Sequence, residues 1–417
     1  MHTTHRFLLP RLSFMMFLQF FIWGAWYVAI AVYMRAEGMA GLTHWPFTVF
    51  PVAAIVAPFF LGLVADRYFP SEKVFGSLHI LGGITMFIIP STTANPVLFI
   101  LMLLLFSLFY TPTMGLANSL SFHNIESQEN QFPKIRVFGT IGWIVAGLLI
   151  SFVLAGLTDL TVEATPIPLY TSGAASLLLG LYSFTLPHTP PPARGDVVSI
   201  RSIIGLDALD HLGSKPFWIF IISSFLICIP LAAYFNFTQL FLEDTGFENI
   251  AATQSIGQMS EVIFMLLIPF FFRRLGVKWM LGVGMLAWVV RYLLFAMAAP
   301  DEIVWMILVG VALHGICFDF FFVTGQIYVD KKSTSKVRGQ AQGFLVLVTY
   351  GLGMLIGAQV AGNIYRGFLG DQETLALEQW VNFWIIPAVV ALIVFIFFVF
   401  TFHDKVDNKS GNQQKNG

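Results

Sequence analysis

The chain alternates long apolar runs with short polar ones. The runs recur at roughly 20 residues, the length a helix needs to cross about 30 Å of hydrocarbon. Twelve spans are predicted, at 12–34, 43–65, 74–93, 97–120, 137–157, 167–187, 216–240, 253–272, 278–298, 303–327, 338–364 and 380–402. One connection is longer than the rest. "PHTPPPARGDVVSIRSIIGLDALDHLGSKP", from Pro187 to Pro216, is rich in Pro and Asp and reads as a linker with one amphipathic turn around "IGLDALDHL". The pattern therefore predicts an all-α membrane protein of twelve transmembrane helices in two six-helix bundles, residues 1–187 and 216–403. A cytoplasmic linker, 188–215, joins them, and 404–417 is a polar cytoplasmic tail.

Composition fixes the solvent. Of 417 residues, 57% are hydrophobic and 11% charged, against about 25% charged in soluble domains. Mean hydropathy is +0.78. No aqueous fold of this length can hide so much apolar surface, so the chain is expected to sit in a lipid bilayer. The formal net charge of −1 gives no sign of nucleic-acid binding. Cys228 and Cys317 both lie in apolar runs and read as core residues, not as a disulfide framework. The amino-terminal "MHTTHRFLLPRLSF" leads straight into a full-length span, so it reads as the approach to a first membrane helix, not as a cleavable signal.

Charge asymmetry sets the orientation. With both termini in the cytoplasm, 19 of the 22 Lys and Arg residues fall on that side. Arg35 and Arg366 fall outside, and Arg291 lies within a span. Acidic residues show no such bias, with ten inside, eleven outside, and Glu261 and Asp319 within spans. Orientation follows Lys and Arg rather than net charge, so both termini are expected to be cytoplasmic. The halves also echo each other: "GLVADRYFPSEKV" after span two and "PFFFRRLGVKWM" after span eight are both tight and basic.

Ionisable residues inside a membrane are functional candidates by default, since each costs about 2.5–3.5 kcal/mol at a helix centre even on the lenient scale. Asp319 stands near the middle of span ten, in "LHGICFDFFFVTGQ". His314, five residues earlier, is turned about 140° away around the helix, whereas His314 and Phe318 share a face. In span eight, "QSIGQMSEVIF" sets Gln254, Gln258 and Glu261 at i, i+4, i+7, a polar stripe in which Gln254 stands nearest the water. A carboxamide offers a donor beside an acceptor, which suits a nucleobase edge or a sugar diol. In span five, "FPKIRVFGTIGWI" aligns Arg136, Thr140 and Trp143, a cation, a hydroxyl and a flat ring, with Gly139 and Gly142 available for helix packing. Span one aligns Gln19, Trp23 and Trp26 at the same spacing. In span seven Asn236 and Gln239 share one face, and Tyr234 and Thr238 another. In span four, Pro112 is expected to break the helix ladder and Asn118 to be buried; Arg291 in span nine is expected to snorkel or pair with a carboxylate in a structural role.

Carboxamides, two carboxylates, an arginine and many rings are what a sugar or nucleoside cavity needs: faces to stack on and paired donors and acceptors for edges. No G-x-x-x-x-G-K-[ST] occurs, so uphill movement is expected to draw on an ion gradient rather than nucleotide hydrolysis. A carboxylate kept from water can load and release a proton at ordinary pH, which makes Asp319 and Glu261 the proton candidates. No resident cofactor or metal is expected, the proton being the coupling ion, and no nucleophile–base pair suggests an enzyme.

The motifs "FLQFFIWGAW", "FPKIRVFGTIGWI", "GQMSEVIFMLLIPFFFRRLGVK", "FDFFFVTGQIYVDKK" and "RGQAQGF" resemble the bacterial nucleoside:proton symporters of the major facilitator superfamily. The likeness runs nearly end to end. It implies nucleoside uptake across the bacterial inner membrane, coupled to protons, by alternating access of the two bundles in a single chain. Gly62, Asp66 and Arg67 match the superfamily's G-x-x-x-D-R loop, which implies a part in conformational gating. By motif match, Arg136, Thr140 and Trp143 correspond to substrate-pocket positions, Gln258 and Glu261 to the Q-x-x-E of span eight, and Phe318 and Asp319 to the F-D of span ten. The family pattern has a tyrosine where His314 stands, and a glutamine and an asparagine where Ala232 and Phe235 stand. Those departures leave open a symporter for another polar ring-bearing solute, with Asn236 or Gln239 as compensating groups. A ligand-sensing receptor is a second alternative, disfavoured by the lack of any soluble signalling domain.

Overall fold

The computed structural model describes residues 8–61, 68–158, 161–191, 201, 205–206, 209–334 and 337–404. Hydrocarbon offers no partner to a bare N–H or C=O, so spanning segments must close their own hydrogen bonds as helices. The first six are α1 (Leu8–Ala36), α2 (Ala40–Phe60), α3 (Ser71–Thr92), α4 (Pro96–Asn124), α5 (Asn130–Thr158) and the shorter α6 (Ile167–Ser183). Then come α7 (Lys215–Asp244) and a 49-residue run, Ile250–Ala298. That run is two helices, α8 (250–275) and α9 (277–298), because Gly276 stands at φ 64°, ψ 179°, a conformation open in practice only to glycine. Last are α10 (Val304–Lys332), α11 (Arg338–Leu369) and α12 (Leu377–Thr401). Among the described residues ten helical runs are long and apolar enough to span; resolving one into two and adding α6 accounts for all twelve predicted spans.

The same packing scheme is used twice. In the first bundle α1 lies on α5 and α6, α3 on α4 and α6, and α2 on α4. In the second, α7 lies on α11 and α12, α9 on α12, and α10 on the α8–α9 pair. Glycines permit the central approaches: a Cβ at Gly142 would sit 2.2 Å from the Phe17 carbonyl, and one at Gly357 would sit 2.7 Å from Ala232. Large apolar side chains such as Leu266, Ile393 and Phe400 point outward, as a lipid-facing surface requires.

Two helices are broken at membrane depth, and each break is patched by a neighbour. α1 is interrupted at Val28–Ala29, between Leu8–Tyr27 and Ile30–Ala36. α10 is interrupted at Leu313, where Arg291 donates Nε–H to the Gly310 carbonyl (2.9 Å) and Ser260 donates to the Ala312 carbonyl (2.5 Å). Arg291 therefore neither snorkels nor meets a carboxylate: it is fully buried, caps a broken helix, and lies 3.9 Å from the Tyr234 ring centroid. α5, α10 and α11 also widen into π segments, at Leu149–Leu154, Asp319–Val323 and Leu347–Gly353.

Other expectations need correction. α4 runs unbroken through Pro112, and Asn118 is exposed rather than buried. Of the predicted linker turn, one helical turn is described, Leu209–Leu212. Gly62, Asp66 and Arg67, and the tail beyond Asp404, lie outside the described residues. Both cysteines are free and buried, as core residues should be.

Candidate functional site

The bundles meet along α1 against α7, α5 against α8, and α2 against α11. Between described residues, the hydrogen bonds and ion pairs that join them all lie on the face opposite the two termini. There Arg35 at the end of α1 pairs with Glu243 and with Asp244 (2.7 Å) at the end of α7, and Trp380 donates to Asp244 (2.9 Å). The amino end of α8 is capped from the other bundle. Glu163 Oε1 accepts from Ala251 N (3.2 Å), and Ser151 Oγ accepts from Ala252 N (3.0 Å) while donating to Glu163 (2.6 Å). Gln359 on α11 donates to Thr48 on α2 (2.8 Å).

Deeper between the bundles, a wall of rings crosses from one to the other. On the first bundle, Trp23 meets Trp143 edge-on and stacks on Phe50, both at 5.0 Å. Tyr27 then reaches Phe235 on α7 at 6.1 Å. The series continues on the second bundle through His314 (5.9 Å), Phe318 (5.6 Å), Phe322 (5.2 Å) and Tyr350 (5.2 Å). Set into this wall are polar groups that keep some exposed surface: Arg136 and Thr140 from α5, Gln258 and Glu261 from α8. The Arg136 guanidinium lies 4.2 Å from the Phe20 ring centroid, facing Glu261 within electrostatic reach. Among the described residues, no protein group hydrogen-bonds the side chains of Arg136, Thr140 or Glu261, and Gln258 Oε1 has no protein partner. Such a cluster of unengaged donors and acceptors among rings is suited to a polar ligand with a flat face.

Asp319 sits apart from that wall's surface. It is fully buried in the π segment of α10; among the described residues neither carboxylate oxygen has a donor, and Glu261 is a charged group within its electrostatic reach. An ionised carboxylate there would be buried without a counter-charge in contact, so this arrangement accommodates the protonated acid.

The structure thus sets Arg136, Thr140, Trp143, Gln258, Glu261 and Phe318 on α5, α8 and α10, α5 and α10 each packing on α8, and it buries the four other candidates, His314 within the ring series itself. Gln19 lies in the core of the first bundle, donating to Thr113 Oγ1 (2.8 Å) and meeting His79 Nε2 (2.8 Å). His79, which the sequence reading passed over, is the centre of that network and also meets Ser176 (3.1 Å). Gln239 is fastened to the backbone of α1, donating to the Tyr27 carbonyl (2.8 Å) and accepting from Ala31 N (3.0 Å). Asn236 is fully buried, its amide without a protein partner. His314 is buried too, stacked on Tyr234 (5.5 Å, 17°), so it shapes the wall from behind.

Residues 7–407 match the family described as Nucleoside H+ symporter. The chain belongs to that family. The Escherichia coli protein YegT, a candidate nucleoside transporter by name, is 38% identical over 96% of this chain and 94% of its own. The nucleoside permease NupG of Escherichia coli is 31% identical over 95% of this chain and 96% of its own. A crystal structure of the nucleoside transporter NupG superposes with a TM-score of 0.83 at 29% identity, covering 95% of this chain and 100% of that one. The twelve helices are those of a multi-pass membrane transporter of the major facilitator fold.

Proposed function

We propose that the chain imports nucleosides by proton symport, exposing one central site alternately to the two sides of the membrane. The observation that carries this reading is the set of unengaged polar groups on two helices that meet across the bundle interface, Arg136 and Thr140 on α5 and Gln258 and Glu261 on α8, with Arg136 and Glu261 within electrostatic reach of each other. A nucleoside offers a planar base to stack on Trp143 or Phe318 and edges and hydroxyls for the carboxamide, carboxylate and guanidinium. A ligand touching both bundles can also draw them together, which alternating access requires. The family and the named relatives favour a nucleoside over the other ring-bearing solutes that the sequence leaves open.

Asp319 carries the coupling proton, with Glu261 as its electrostatic partner. Coupling arises if proton and substrate each bind one conformation better than the other. Both termini face the cytoplasm of a bacterial inner membrane, so the sealed face, bearing Arg35, Glu243 and Asp244, is periplasmic. One chain suffices, with no resident cofactor. Purified protein in proteoliposomes, given labelled uridine or adenosine under an imposed pH gradient, tests the reading. Accumulation is expected when the outside is acidic and is expected to collapse with a protonophore. Uptake indifferent to the gradient would remove the coupling, and failure to carry any nucleoside would remove the substrate assignment.

A further inference from the structure

One polar ring of the wall belongs to none of the motifs that the sequence singles out. Tyr350 lies in the π segment Leu347–Gly353 of α11, where one extra residue per turn displaces side chains from the regular helical register. At its neighbour, a Cβ on Gly351 would come within 2.9 Å of Ile55, so α11 lies tight against α2 of the other bundle at this level. The Tyr350 ring packs on Phe322 at 5.2 Å, extending the series that runs from His314 through Phe318. Arg136 of α5, Glu261 of α8, Tyr27 of α1 and Cys228 of α7 all lie within its electrostatic reach. Tyr350 is thus surrounded by the helices that build the site, yet it keeps exposed surface. The hydroxyls of Tyr110, Tyr292 and Tyr328 are engaged by Gln19, Pro230 and Asp404. Among the described residues, the Tyr350 hydroxyl has no hydrogen-bond partner, and it is not sealed off.

We propose that Tyr350 is a substrate-contacting residue, its hydroxyl hydrogen-bonding the polar edge of the ligand held between Arg136 and Glu261. This rests on the nucleoside reading above. A phenol can donate and accept at once, so beside a carboxylate and a guanidinium it completes a set suited to a sugar hydroxyl, with the Phe318–Phe322 surface available to the base. It also gives α11 a direct hold on the ligand.

The test is uptake by the wild type and by Tyr350→Phe in proteoliposomes, with uridine and its 2′-deoxy and 3′-deoxy analogues. Loss of one uncharged hydrogen bond predicts a three- to tenfold rise, roughly, in the half-saturation concentration for uridine, with the maximal rate within about twofold. Removing the hydroxyl that Tyr350 contacts should then weaken wild-type transport but leave Tyr350→Phe nearly indifferent. Nucleoside-induced rise in Tm of the purified proteins reads the same difference in binding without transport. Equal half-saturation in the two proteins, or parallel losses across every analogue, overturns the proposal while leaving the nucleoside reading intact. A wild type that carries no nucleoside removes both.

Discussion

Gln239 bridges the break in α1, donating its side-chain N–H to the Tyr27 carbonyl at 2.8 Å and accepting from Ala31 N at 3.0 Å. Gln254 on α8 takes the next freed carbonyl, that of Val28, at 3.0 Å. The second bundle therefore supplies the hydrogen bonds that the first bundle's broken helix lacks. These groups lie at the seam between the bundles, where water reaches them only when that face opens, so the break and the sealed face are mutually dependent. The Arg35 pair with Glu243 and Asp244 and the trans-bundle caps of α8 act on the same face.

Replacing Gln239 by Leu should accordingly weaken this arrangement rather than substrate recognition. Two buried backbone groups lose their partners only while this face is closed, at about 1–3 kcal/mol each. A spin-label or fluorophore pair placed across the face should report a shift toward separation, by a factor of ten or more in population. The half-saturation concentration for substrate in the conformation that binds it should change little. An unchanged distance distribution would show that Gln239 does not hold this face.

The twelve spans and the site stripes differ in how far sequence periodicity could take them. Arg136, Thr140 and Trp143, or Gln258 and Glu261, lie on regular stretches of helix, so spacing of i, i+4, i+7 put them on one face, and that face does meet the other bundle. For Gln19, at that spacing with Trp23 and Trp26, and for Gln239, three residues after Asn236, periodicity named a face but not what it touches. One meets the backbone of a broken neighbour, the other a histidine in the core. The break itself left no mark: "WYVAIAV" has no Pro or Gly at Val28–Ala29 to announce it. Tyr350 was hidden for a third reason, since a π segment shifts the register that helical-wheel reasoning assumes. Arg291 looked like a candidate for snorkelling because nothing local shows that Gly310, nineteen residues away, lacks its helical partner.

Gly147 offers a steric test of the closed face. A Cβ there would stand 2.3 Å from Ser255 Oγ and 2.8 Å from the Ala251 carbonyl. The hydroxyl could rotate aside, but the backbone of α8 cannot without moving the helix. Gly147→Val should therefore wedge α5 from α8 and pull Ser151 and Glu163 off the amino end of α8. The expected result is uptake reduced by at least an order of magnitude while nucleoside binding to the purified protein persists. Cysteines placed near Thr48 and Gln359, which meet at 2.8 Å in the closed face, should become more accessible to thiol reagents. Normal uptake by this variant would mean that the two helices do not need to approach so closely during the cycle.

The two membrane carboxylates should separate by function. Asp319 is sealed with both oxygens unpartnered, whereas Glu261 keeps exposed surface and faces Arg136. Asp319→Asn mimics the protonated acid in shape and charge, so the structure seen here should persist. What it cannot do is release the proton, and the sign of the effect follows from that. Uptake by the wild type should rise as the outside is acidified, while Asp319→Asn should lose that dependence and fail to accumulate substrate against a gradient. Exchange of labelled for unlabelled nucleoside, which needs no net proton movement, should continue at a rate within a few-fold of the wild type. Glu261→Gln should behave differently, because its carboxylate is a ligand group opposite a cation. A lost charge-assisted hydrogen bond of about 1.5–3 kcal/mol implies a rise of ten- to a hundredfold in half-saturation for exchange and for driven uptake alike. Gradient-driven accumulation surviving in Asp319→Asn but lost in Glu261→Gln, with exchange normal in both, would reverse the assignment and make the exposed carboxylate the proton carrier.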